Sequence, residues 1–145
     1  MRQNGRMDAA LKVVQTVRIA MLVSIVLYVF VGEVSARPPM TSPSVLIFYA
    51  LTFVSITMVG IIMVIRRTLI FPAQTALAAH ATDAAALSRW RGGYIFSYAI
   101  AEAIALYGLV LRFLGFTLTQ VAPFYIAAAM LLLLLTAKRP STELS

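Results

Sequence analysis

From position 44 to position 65 the chain runs without a single charged side chain, and three further segments repeat that pattern. Residues 13–32 form the first, interrupted by Arg18. Residues 92–111 form the third, with Glu102 inside it. Residues 118–137 form the fourth and carry no charge. Each holds roughly the 20 residues needed to cross about 30 Å of hydrocarbon at about 1.5 Å per residue. With no water in that slab, each must be a helix that satisfies its own backbone hydrogen bonds. The short connections make consecutive helices antiparallel. The expected fold is therefore all-α: a polytopic membrane protein with four transmembrane helices in an up-down antiparallel bundle, forming one domain over residues 1–145.

Composition argues the same way. Of the 145 residues, 61% are hydrophobic and 12% charged, and that charge share is about half the usual value for a soluble domain. A soluble domain of this size leaves about 30% of its chain surface wet and could not hide so much apolar area. The net charge of +7 does not point to nucleic acid, because the charges flank apolar runs instead of forming a basic stripe with interleaved aromatics. Their placement sets an orientation. Arg2, Arg6, Lys12, Arg18, Arg66, Arg67, Arg89, Arg91, Lys138 and Arg139 fall on one side, and Arg37 and Arg112 on the other. The lysine- and arginine-rich side is the cytoplasmic one. Both termini are expected there, in a bacterial-type inner membrane, with Arg18 snorkelling outward from its helix.

Boundary signals accompany the spans. Ser42-Pro43 reads as an N-cap and first helical position, and Thr117 with Gln120 has capping-box spacing. Arg37-Pro38-Pro39 reads as an extended turn. A basic start, an apolar run and Val34-Ser35-Ala36 also resemble a cleaved signal sequence; the long basic region and the Arg-Pro-Pro that would open a mature chain favour a retained helix. The cytoplasmic connection, residues 66–91, is alanine-rich and expected to be largely helical, bent near Pro72, with Asp83 capping the next helix. Trp90 between Arg89 and Arg91, together with Arg66 and Arg67, reads as a set of interface anchors. The same arginines offer a surface for cytoplasmic proteins or anionic lipid. The tail at 140–145 is short and polar. An alignment of residues 17–31 with 96–110 yields five identities within a simple alphabet, too few to define a repeat.

Catalytic constellations are missing from the sequence. There is no cysteine and a single histidine, His80, so no metal cluster, disulfide or haem ligand pair is expected, and no cofactor. No phosphate-cradling glycine loop or nucleophile elbow occurs. The chain reads as non-enzymatic.

Glu102 departs from the pattern. It lies about 12 Å along its helix from Tyr94 and about 15 Å from Arg112, too far to pair with that arginine. An acid at this depth must be protonated, paired, or face a wet cavity. Candidate hydrogen-bond partners are Tyr98, Ser55, Thr57 and Tyr125. Ala101, Ala105 and Gly108 form a smooth strip against which another helix can pack closely. Glu33, at the outer end of the first span, reads as an interface charge alone. Glu102 is thus either a reversible proton- or ion-binding carboxyl or a protonated acid joining helices.

The stretch EAIALYGLV, residues 102–110, resembles the second helix of the rotary ATP synthase proteolipid, the c subunit, in which a mid-membrane carboxylate precedes a similar run. The stretch DAAALSR, residues 83–89, is similar to the end of that family's polar cytoplasmic loop, so the likeness spans residues 83–110. The resemblance implies Glu102 as the proton-binding carboxyl and a preceding loop facing a rotor stalk. The chain differs from the family in having Gly60 as the one glycine of its second span, in lacking the Arg-Gln/Asn-Pro loop signature, and in its two additional spans. The two functional expectations are a subunit or accessory protein of a larger membrane complex, in contact with lipid and with other subunits or further copies of itself, and a proteolipid-like proton- or cation-translocating subunit.

Overall fold

A computed structural model of the chain describes residues 2–35, 44–80 and 83–137. Every regular element among them is helical: α1 (Arg2–Val34), α2 (Val45–Ile65), a π-helical turn (Arg66–Ile70), α3 (Phe71–Ala79), α4 (Ala84–Phe113) and α5 (Leu118–Leu134). The expected Arg37-Pro38-Pro39 turn, the Ser42-Pro43 cap, Lys138, Arg139 and the tail lie outside the described residues. Among those described, three helices are long and apolar enough to cross a membrane, and α5, at 17 residues, is a shorter apolar one.

The helices overrun the apolar segments that nucleate them. α1 extends through the basic start, and its 33 residues measure about 50 Å at about 1.5 Å each. At Ile65, where the apolar run ends, α2 gives way to the π-helical turn. α2 passes through the π turn into α3 as one helical stretch, Val45–Ala79. Pro72, in the first turn of α3, lacks an N–H and crowds the carbonyl four residues before it; a widened turn immediately upstream accommodates that mismatch without breaking the helix. α4 starts at Ala84, behind the expected Asp83 cap and eight residues before its apolar segment at 92. The Asp83 carboxylate accepts the amide protons of Ala85 and Ala86 at 2.9 and 3.0 Å, which satisfies two of the four free donors at a helix start. The long connection therefore dissolves into helix, leaving positions 80–83 between α3 and α4.

α4 is the axis of the assembly. Of its apolar window 44% is buried, against 11% for α1 and for α2. Its inward residues recur every three or four positions: Trp90, Tyr94, Ser97, Tyr98, Ala101, Ile104, Ala105, Gly108 and Leu111, one stripe of a 3.6-residue helix. α1 runs parallel to α4, since Ala10 and Val13 share a groove with Leu87 while Glu33 meets Arg112 near the other end. α5 returns antiparallel along a neighbouring face. α2 packs on α4, and its Phe48 ring meets Phe116 and Phe124 at 5.4 and 6.0 Å. The chain direction alternates as an up-down bundle requires, but α1 finds its main neighbours in α4 and α5.

The α4–α5 turn is built from local chemistry. Gly115 has φ 93°, the left-handed region that glycine enters without a Cβ penalty. The amides of Gly115 and Phe116 donate to the carbonyls of Arg112 and Leu111, the paired bonds of a Schellman motif. Gln120 then accepts the Thr117 amide proton at 2.9 Å, one half of the expected capping box.

Close approach at Gly93 is the tightest point between α4 and the π turn. A Cβ there would lie 2.8 Å from Ile70 Cγ1, whereas a Cβ at Gly60 meets nothing within 4 Å. Gly93→Ala is expected to destabilise the protein by about 1–3 kcal/mol through overpacking. Gly60→Ala should be neutral or stabilising by up to about 1 kcal/mol from helix propensity. Thermal unfolding of the two variants in one detergent checks the contrast.

Candidate functional site

The inward stripe of α4 is not wholly apolar, and its polar members each reach a different neighbour. Glu102 is half-buried and turned toward α1. The Tyr28 hydroxyl on α1 donates to Glu102 Oε1 at 2.6 Å, and the Ser24 hydroxyl, one turn earlier on α1, lies beside the same phenol. Among the described residues no second donor reaches the carboxyl and no cation pairs with it.

The four hydroxyls anticipated for Glu102 are engaged elsewhere or unpaired. Tyr98, one turn before it, is fully buried and donates to the Leu135 carbonyl at 2.7 Å. Ser55 and Thr57 on α2 bond back to the carbonyls of Leu51 and Phe53, at 2.8 and 3.0 Å, the ordinary alternative for a hydroxyl on a helix. Thr57 in addition faces outward. Tyr125 has a buried hydroxyl with no partner among the described residues. The physical reason is rotation: four residues advance a helix by about 40° beyond a full turn, so Tyr98 addresses α5 while Glu102 addresses α1.

The small-residue strip lies where helices approach. Ala101 and Ala105 are fully buried. A Cβ on Gly108 would sit 3.1 Å from Phe124 Cβ and 3.2 Å from the Tyr125 ring, so at Gly108 the strip seats α5 of the same chain.

Two polar clusters bracket the Glu102–Tyr28 pair. At one end, Arg112 Nε and Nη2 donate to the two Glu33 carboxylate oxygens at 2.7 and 3.2 Å, and Nη1 donates to the Phe116 carbonyl at 3.0 Å. Glu33 is thus not a free interface charge; it clamps α1 to α4 through the paired geometry that guanidinium and carboxylate favour. At the other end, Arg18 does not extend into solvent. Its Nη1 donates to Thr136 Oγ1 at 2.7 Å, just past the carboxyl end of α5, where unpaired carbonyls attract a cation.

Trp90 departs furthest from expectation. It is fully buried, with its ring 5.2 Å from Tyr94 and its indole N–H unpartnered among the described residues. Because α4 starts at Ala84, Trp90 falls on the inward stripe and α3 packs over that stretch of helix. Its expected companions do remain outward. Arg67, Arg89 and Arg91 are exposed, and Arg66 lies 5.4 Å from the Phe71 ring centroid, within cation–π range.

No three His, Asp or Glu side chains gather among the described residues. No protein-family model matches the chain, and no curated protein or solved structure is significantly similar to it.

Tyr28 was absent from the anticipated partners because it lies 74 positions away on a helix not adjacent in sequence. The available signal was the tyrosine itself, since a phenol inside an apolar span needs a hydrogen-bond partner. A double-mutant cycle with Tyr28→Phe and Glu102→Gln should show a coupling of about 0.5–1.5 kcal/mol in unfolding, the range for an interhelical hydrogen bond in a membrane protein. Additive effects would show that the bond contributes nothing.

Proposed function

We propose that this chain is a small multi-pass membrane protein that serves as a non-enzymatic subunit or accessory protein of a larger membrane complex, with Glu102 as its protonatable group. The observation that carries the reading is the company Glu102 keeps. A carboxyl within an apolar helix is retained at a cost of several kcal/mol unless it is neutralised or serves a function. Both arginines nearest it along the bundle are engaged elsewhere, Arg112 with Glu33 and Arg18 with Thr136. A phenol holds the acid without neutralising it, which leaves proton uptake as the available means of neutralisation.

The four-span topology, with both termini cytoplasmic in a bacterial-type inner membrane, belongs to the same reading. It is supported by the arginines and lysine at the shared end of α1, α4 and the π turn: Arg6, Lys12, Arg66, Arg67, Arg89 and Arg91. In this arrangement α5 forms a fourth, shorter crossing. Lipid covers the outward faces of α1 and α2, where Val26, Phe30, Leu46 and Phe53 are more than half exposed, together with other subunits or further copies of the chain.

The alternative is a proteolipid-like subunit that translocates protons or cations through Glu102. It is favoured by the same hydrogen bond, since a half-buried carboxyl held by one hydroxyl is free to exchange a proton.

A hydrophobic carbodiimide, which reacts with protonated carboxyls in lipid, should label Glu102, with labelling that falls as pH rises and vanishes in Glu102→Gln. Tyr28→Phe should label faster. An unreactive carboxyl at every pH, together with an unaltered Glu102→Gln phenotype, would remove the proton-binding reading. Extraction in mild detergent tests the other half: a co-purifying membrane partner is expected, and free monomer alone counts against the accessory role.

A further inference from the structure

The amino-terminal ends of α1 and α4 lie side by side without closing on each other. Between them runs a groove of about 340 Å³. Arg6 on α1 and Arg91 on α4 flank it, Ser88 adds a hydroxyl, and Ala10, Val13 and Leu87 make its apolar wall. Both guanidinium groups are exposed, and among the described residues neither takes part in an ion pair. Asp83 turns its carboxylate onto the amides of α4, and Asp8 is not among the groove's lining residues.

We propose that this groove holds the head group of an anionic phospholipid. Two cations and a hydroxyl donor on facing helices match a phosphodiester, which accepts hydrogen bonds on two free oxygens and carries one negative charge. The wall favours a lipid over a soluble phosphate. Val13 is 44% exposed and opens the groove onto the apolar flank of α1, where an acyl chain can follow. Basic pockets between membrane helices recognise anionic head groups on this principle. A zwitterionic lipid brings a cation of its own toward Arg6 and Arg91 and is disfavoured. The groove lies at the opposite end of α4 from Arg112 and beyond Tyr98 from Glu102, so it is separate from the proton-binding site.

Native mass spectrometry of the full chain in detergent, with phosphatidylglycerol or phosphatidylcholine added, tests the assignment. The wild type should retain phosphatidylglycerol in preference. Arg6→Gln with Arg91→Gln should weaken that retention roughly tenfold or more, since each basic residue near a lipid surface contributes about 1 kcal/mol. Arg6→Lys with Arg91→Lys should keep most of it. Arg67→Gln with Arg89→Gln, an equal charge change at the same end outside the groove, should leave it unchanged. Equal loss in that control, undiminished retention in the Arg6/Arg91 glutamine variant, or equal retention of phosphatidylcholine overturns the proposal. Displacement of the lipid by millimolar inorganic phosphate would also overturn it, by showing that the site takes free phosphate. Matching unfolding temperatures establish that all variants compared are folded.

Discussion

The parallel packing of α1 along α4 is the contact on which the rest of this bundle depends. It joins the first helix to the third long one across most of their length, and it contains every long-range side-chain bond of α1 save Arg18–Thr136 among those described. In hydrocarbon there is no hydrophobic force to drive two apolar helices together, so association rests on close packing and polar pairs. Here both are present. Ala10, Val14 and Ile25 are buried within the core that α4 anchors, and the Glu33–Arg112 and Tyr28–Glu102 pairs set the register. A slip of α1 by one turn would move its donors and acceptors by about 5.4 Å and break both pairs together.

Polar groups within this apolar protein are handled in two ways. Of the two arginines that bracket the apolar stretch, Arg112 is neutralised by Glu33 and bonded to a carbonyl, and Arg18 donates to the Thr136 hydroxyl at the carboxyl end of α5. Both placements follow from electrostatics, since a carboxylate and the negative end of a helix are the two favourable sites for a buried cation. Glu102 has no such counterpart and is met by a neutral phenol. Arg18, bonded to a neutral hydroxyl and with its Nε unpartnered among the described residues, likewise lacks a counter-charge, so of the three groups Arg112 alone sits in an ion pair.

The stretch at 66–91 shows how local signals can be right in kind and wrong in consequence. Alanine content and Asp83 correctly indicate helix and cap, and a π-helical turn precedes Pro72, where a bend is expected. Treating the stretch as a connection, however, put Trp90 at an interface. Once helix continues through 84–91, the 3.6-residue period carries Trp90 onto the same stripe as Tyr94, Tyr98 and Ala101, where α3 folds over it. Flanking arginines do not reveal this, because positions 89 and 91 fall about 100° to either side of Trp90 on a helix and can be exposed while it is buried. The tryptophan belongs to packing, and the arginine beside it to the groove against α1.

For the apolar runs, the sequence by itself determined helix as the secondary structure of the described residues and the presence of an acid inside the third. These follow from local energetics: predominantly apolar stretches, caps and proline positions act within a few residues of themselves. Which helix stands beside which was decided only in three dimensions. The partners that the sequence suggests for Glu102 lie on α2, α4 or α5, whereas the hydroxyl that bonds it, Tyr28, is on α1. The reason is physical. Short connections constrain consecutive helices to opposite directions but leave open which of several apolar faces meet. That choice is made by shape and by a few hydrogen bonds between residues far apart in the chain. The four apolar runs were therefore visible at once, while the central place of α4, the burial of Trp90 and the phenol on Glu102 belong to the tertiary structure.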